Sequence, residues 1–189
     1  MKKELPELEL YIAGKGTYEP NLKGMLKAMN DNDVDEYVKW ATKDNFIDKS
    51  IDVREYFRAC QTDDIRLLGY INHDTLKEEL ALADIMVAPS KAPEAFGLVT
   101  IESMAAGVYP IVSNHSGLKN VVDIIEEIDN KITSNMRIHF DKDKIDLVNM
   151  TRTVMSALEY VKHNDPSDKL KKVSLDFDWK NICESILES

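Results

Sequence analysis

Only two cysteines, Cys60 and Cys183, occur among the 189 residues. They are too few for a disulfide framework and cannot by themselves complete a tetrahedral metal site. Neither has the basic surround that lowers a thiol pKa, so both read as packing or surface thiols. Long apolar runs are missing too. Nothing approaches the roughly 20 residues a membrane-spanning helix needs, and Met1-Lys2-Lys3-Glu4-Leu5-Pro6 breaks too early for a secretory leader. Positive charge is short, with 24 basic against 34 acidic residues and a net charge of −10. A nucleic-acid binder or a protein docked on anionic lipid needs a basic face, so neither partner is expected. His73, His115, His139 and His163 are scattered rather than set at ligand spacing, and no metal is expected. Repeats and Pro- or Ser-rich linkers are also lacking. The remainder, 43% hydrophobic and 31% charged, is the balance of a globular protein. It is expected to be soluble and cytoplasmic and to fold as one domain over residues 1–189.

Along the chain, strand patterns alternate with helical ones. Residues 7–13 alternate and then run apolar, as a strand entering a core does, and Gly14-Lys15-Gly16 ends them. From Pro20 to about Phe46, Leu22, Met25, Leu26 and Met29 recur at helical spacing, with a break expected at Asn30-Asp31-Asn32-Asp33. A helix-capable stretch over 50–61 precedes a short strand, Ile65–Leu68. Thr75 and Glu78 have capping-box spacing ahead of a helix buried through Leu76, Leu80 and Ala83. Ile85–Ala88 is almost wholly apolar, the mark of a parallel strand covered on both faces. A helix over 98–106, stopped by Gly107, leads to a buried strand at Pro110–Ser113 and a weaker one at Met136–Phe140. Helical patterning follows from Lys142, and a last helix is expected over Trp179–Leu187. This order implies an α/β fold: a Rossmann-like parallel sheet of about five strands with helices on both faces.

The window Pro89–Gly107 concentrates the chemistry. It runs from a strand end through a loop holding Glu94 into a helix starting near Gly97. In parallel sheets such loops lie at the carboxyl ends of the strands, where ligands bind. The first amides of the helix, at Gly97, Leu98 and Val99, lack internal partners and carry the positive end of the dipole, which suits phosphate. Helical side chains lean toward the amino terminus, so Glu102 reaches back to the same mouth, where a carboxylate can accept hydrogen bonds from the two hydroxyls of a ribose. Glu94 can hold sugar hydroxyls in the same way. A diphosphate between two diol-gripping carboxylates is the outline of a nucleotide sugar. A glutamate near a helix start is also favoured by the dipole alone, so the spacing of the pair does not by itself decide between the two.

The surrounding segment is more specific. Ala83-Asp84-Ile-Met-Val-Ala-Pro-Ser90, Pro93-Glu94-x-Phe-Gly-Leu98, Glu102-Ser-Met-Ala-Ala-Gly107 and Pro110-Ile-Val-Ser113 resemble the C-terminal half of GT-B glycosyltransferases, above all family 4, or group 1. Glu94 and Glu102 match its paired glutamates, while Tyr11–Gly16, Leu68–Ile71 and Phe177–Trp179 match its other strand ends and closing segment. The resemblance implies hexose transfer from a nucleoside diphosphate sugar to an acceptor, with retention and without a metal or other cofactor. It assigns Glu94, as the catalytic residue, and the amides of Phe96, Gly97 and Leu98 to the donor sugar. Leu98 and Val99 fall to the diphosphate and Glu102 to the ribose. Gly14 and Gly16 line the cleft, and Tyr70 and Ile71 lie toward the base. The chain departs from the family in starting about one strand-helix unit late, without the basic pair that clamps the diphosphate. Against that pattern it is expected to be without the N-terminal acceptor domain, and it has Ser116-Gly117 and Asn120 where two glycines and a glutamate are usual. The expected partner is therefore an N-terminal GT-B domain or another copy of the chain. The alternative is a non-catalytic nucleotide-sugar-binding or interaction module. An unrelated dinucleotide enzyme is disfavoured, since no Gly-x-Gly-x-x-Gly follows the first strand.

Overall fold

The computed structural model describes residues 5–45, 47, 51–57, 63–141, 144–145, 147–178 and 180. Cys60, Cys183 and, Lys180 apart, the closing helix expected over 179–187 lie outside them. The chain divides into two compact units, Met1–Asn72 and His73–Ser189.

In the first unit β1 (Leu10–Ala13) and β2 (Ile65–Gly69) pair in parallel, with Leu10 opposite Ile65. Between them in sequence come α1 (Glu19–Asn30), α2 (Val34–Thr42) and α3 (Val53–Phe57). The expected break between α1 and α2 is made by Asp33, whose carboxylate accepts the N–H groups of Asp35 and Glu36 at 3.1 and 3.0 Å. Met25 and Ala28 of α1 meet Tyr37, Ala41 and Val53 in one buried cluster. This helical layer is what α2 and α3 build. β1 corrects the expectation of a strand entering a core, because three of its four residues are exposed. Its hydrogen-bonded neighbour among the described residues is β2 alone.

The second unit opens with α4 (His73–Leu80), β3 (Ile85–Ala88), α5 (Leu98–Ala106) and β4 (Tyr109–Ser113). It continues through α6 (Ser116–Ile128), β5 (Arg137–Ile138), the antiparallel pair β6 (Phe140–Asp141) and β7 (Lys144–Ile145), α7 (Leu147–Asn164) and α8 (Ser167–Ser174). Strands β3, β4 and β5 are parallel in that order. The fold is thus α/β with parallel strands flanked by helices; among the described residues each unit carries its own parallel ladder, of two strands in the first and three in the second. Central β4 is buried throughout, whereas β3, whose paired strand among the described residues is β4 alone, is half-buried rather than covered on both faces. The helix expected to open on Thr75 starts at His73, with Asn72 before it and Asp74 in its first turn, so Thr75 lies inside the helix. Residues 116–128 carry α6, a helix not among those expected above, with Leu118, Val121, Val122 and Ile125 in its buried stripe. The helix expected from Lys142 begins only at Leu147, since β6 and β7 pair first.

The core of this unit gathers Met104, Ile111, Leu118, Ile125, Met136 and Leu170. Tyr109 is fully buried and donates its hydroxyl to the Ile132 carbonyl at 2.6 Å, and burial pushes its phenol well above the ordinary value. Arg137 fastens the end of β5 to α6 through Asp123 at 2.9 Å and Glu126 at 2.6 Å. The hydrogen bond from Lys119, followed by Arg137, holds the Asp123 carboxyl below its usual range. No helix among the described residues is long and apolar enough to cross a membrane.

Candidate functional site

The loop from Pro89 to Phe96 and the amino end of α5 carry six of the ten residues singled out above: Glu94, Phe96, Gly97, Leu98, Val99 and Glu102. Gly97 adopts φ of 80°, a left-handed conformation natural to glycine, and its missing side chain leaves room for Leu118, whose Cδ2 would lie 2.8 Å from an added Cβ. That turn aims the chain into α5. No side chain caps the helix and its first turn holds no acid. The Thr100 N–H donates to the Gly97 carbonyl at 3.0 Å. The positive end of α5 is therefore not offset by a carboxylate of its own first turn. Leu98 is exposed, and Glu94 and Val99 are half-buried. Phe96 packs edge-on against Phe177 with ring centroids 6.5 Å apart.

Glu102 stands one turn into α5, its carboxylate about one-third exposed and 3.3 Å from Nδ1 of His73 at the start of α4. Sequence reasoning treats His73 only as an unlikely metal ligand. Its distance from Glu102 in the chain hides this pairing, which the packing of α4 on α5 creates.

His115 is likewise more than the loop histidine that its position suggests. Its Nε2 lies 2.7 Å from the Ser90 carbonyl and its Nδ1 3.1 Å from the Ser116 hydroxyl. The Glu94 N–H donates to that hydroxyl at 3.1 Å, and the Glu94 carbonyl accepts from the Gly117 N–H at 2.8 Å. The Glu94 loop is thus tied to the start of α6 through main chain. The visible signal is a serine-glycine pair directly after a buried strand.

Gly14 and Gly16 belong to the other unit. They sit past β1, beside an open cleft of about 430 Å³ that is also lined by Ile12, Tyr18, Glu19 and Leu67. Here a carboxylate already occupies the helix start: Glu19 in the first turn of α1 pairs with Lys23 at 2.6 Å. The hydrogen bond from Lys23 holds Glu19 below the usual range. Of the two helix starts, that of α5 is the better host for an anion.

Thr100, in the first turn of α5, is fully buried, and its hydroxyl is without a hydrogen-bond partner among the described residues. A buried unpaired hydroxyl costs about 1–3 kcal/mol. Thr100→Val keeps the shape and removes that group, so it should raise stability by about 1 kcal/mol. A urea midpoint that stays or falls would count against this account.

Residues 54–127 match the family model described as glycosyl transferases group 1. That stretch includes every candidate residue of the second unit and leaves out Gly14 and Gly16. An uncharacterized glycosyltransferase of Methanocaldococcus jannaschii, MJ1607, is 31% identical over an alignment of 121 residues that covers 61% of this chain. The chain spans about 30% of the length of that curated relative. The chain therefore contains a segment similar to group 1 glycosyltransferases, and the loop and helix described above lie within it.

Proposed function

We propose that this protein is the donor-binding part of a glycosyltransferase that takes a hexose from a nucleoside diphosphate sugar and passes it to an acceptor with retention. The observation that carries this reading is the amino end of α5, bare of capping side chains and of acid, with Glu94 before it and Glu102 behind it. The amides of Leu98 and Val99 take the diphosphate, and the carboxylate of Glu102 accepts both ribose hydroxyls. Glu94 and the amides of Phe96, Gly97 and Leu98 hold the hexose. As the anomeric bond breaks, negative charge grows on the departing diphosphate. Fixed N–H donors stabilise that charge without having to reorganise. The reading calls for no resident metal, because the helix end supplies the positive potential. An acceptor site and a second wall to the cleft come from a partner domain or another copy of the chain.

Isothermal titration with UDP, GDP and ADP tests this. One of the three should bind the chain, and Glu102→Ala should weaken it at least tenfold, within the range of about 1.5–3 kcal/mol for hydrogen bonds to a charged group. Binding that is indifferent to Glu102 would remove the ribose contact, and no binding of any of the three would sink the donor-site reading for this chain.

A further inference from the structure

Both main-chain polar groups of Glu94 are held by the first two residues of α6, the N–H by the Ser116 hydroxyl and the carbonyl by the Gly117 N–H. Ser116 makes its contact from φ of 51°, a left-handed conformation that is unfavourable for any residue with a Cβ. Glycine would take that conformation freely, but it has no hydroxyl to offer Glu94.

The histidine behind the serine sets the direction of the network. The Ser90 carbonyl can only accept, so Nε2 of His115 carries the proton that fills the 2.7 Å contact. In the neutral ring Nδ1 is then bare and accepts the Ser116 hydroxyl proton across 3.1 Å. The serine oxygen is left with lone pairs for the Glu94 N–H. Hydrogen bonds therefore run from the Glu94 N–H to Ser116, from Ser116 to His115, and from His115 back to Ser90. Ser90 and Glu94 bound one short loop, and the network closes it. Phe140 packs edge-on against the imidazole at 5.3 Å between ring centroids and fixes its plane.

We propose that His115 and Ser116 are a positioning pair that holds the Glu94 loop in the geometry for recognising the transferred sugar, and that they act on the sugar rather than on the nucleotide. This rests on the donor-site reading, with Glu94 on the sugar side and Glu102 on the ribose side of the diphosphate. Neither His115 nor Ser116 touches the donor. They work through the backbone of Glu94.

A residue placed for stability alone should improve when its strain is removed, whereas a positioning residue should lose function. Ser116→Gly separates these. Amide exchange read by nuclear magnetic resonance should show the Glu94 N–H exchanging at least tenfold faster in Ser116→Gly and in His115→Phe, with no fall in melting temperature for Ser116→Gly. Titration with UDP, GDP and ADP, and with UDP-glucose, GDP-mannose and ADP-glucose, should show affinity for the matching nucleotide sugar falling about tenfold while affinity for the bare diphosphate stays. An unchanged Glu94 amide in either variant overturns the pair. A parallel loss of diphosphate and sugar affinity overturns its restriction to the sugar. A wild-type chain that binds neither class of ligand overturns the donor-site reading and with it the sugar role. The exchange comparison then decides the positioning of Glu94 by itself.

Discussion

Gly117→Ala is expected to destabilise the His73–Ser189 unit by about 3 kcal/mol, the top of the range for overpacking, and, under the proposed donor-site function, to abolish nucleotide-sugar binding. A Cβ at this position would lie 2.5 Å from the carbonyl carbon and oxygen of Ala95 and 2.5 Å from the nitrogen of Phe96. All three are backbone atoms, so no side chain can swing aside, and the loop itself must move. That loop carries Glu94 and the Phe96 amide, and its hydrogen bond from the Gly117 N–H to the Glu94 carbonyl would stretch as it moved. Better helix propensity for alanine returns at most about 1 kcal/mol, and the first turn of α6 is where that gain is least felt. Gly16→Ala is the control. Nothing lies within 4 Å of a Cβ there, so its effect should stay within about 0.5 kcal/mol. Urea unfolding followed by circular dichroism gives both numbers, and a Gly117→Ala midpoint equal to that of Gly16→Ala would mean that the loop yields freely.

The second large effect lies in the other unit. Gly24→Ala should cost about 2–3 kcal/mol net, although alanine at a helix interior normally gains about 1 kcal/mol over glycine. The added methyl would overlap Cγ, Cδ2 and Cε2 of the Trp40 ring, which lies against α1 at this point. Helix α2 cannot simply slide away. The buried Asn21 side chain donates from α1 to the carbonyls of Trp40 and Lys43, each at 3.2 Å, and Lys43 sits over the Trp40 ring 4.6 Å from its centroid. Removing the ring removes the collision. Trp40→Ala and Gly24→Ala should therefore combine to less than the sum of their separate losses, and strict additivity would rule out the contact as the cause.

Elements whose ends are set by neighbours in the chain were legible in advance. Helix α5 runs from Leu98 to Ala106 and stops at Gly107, where φ of 84° suits glycine, and the break ahead of α2 falls on Asp33. Glu94, Gly97 and Glu102 could be singled out for the same reason: they lie within nine residues of one another, on one loop and the start of the helix it enters. Elements whose surroundings lie far away in sequence were less legible. The apolar run of β3 says that it is a strand but not that it is only half-buried, and β1 alternates like a core strand while three of its four residues are exposed. Burial of a strand depends on which others bond beside it, and pattern does not encode that. Helix α6 follows a short loop with no capping-box signal although its stripe is regular, and the short pair β6 and β7 displaces the start of α7 because a hairpin of two-residue strands has too little periodicity to detect.

The sequence by itself determined the alternation of strands and helices, the acidic and cysteine-poor character of the chain, and the segment of residues 54–127 that aligns with group 1 glycosyltransferases. These are local properties, written in propensity, spacing and composition. Tertiary structure alone decided that His73 stands against Glu102, that His115 and Ser116 close a ring of hydrogen bonds around the Glu94 loop, and that Gly24 and Gly117 admit no side chain. The contact between neighbouring His115 and Ser116 apart, each of these joins groups separated in sequence by 16 to 29 positions, as from Gly24 to Trp40 and from His73 to Glu102. A hydrogen bond or a steric limit of a few tenths of an ångström exists only once packing has brought such groups together.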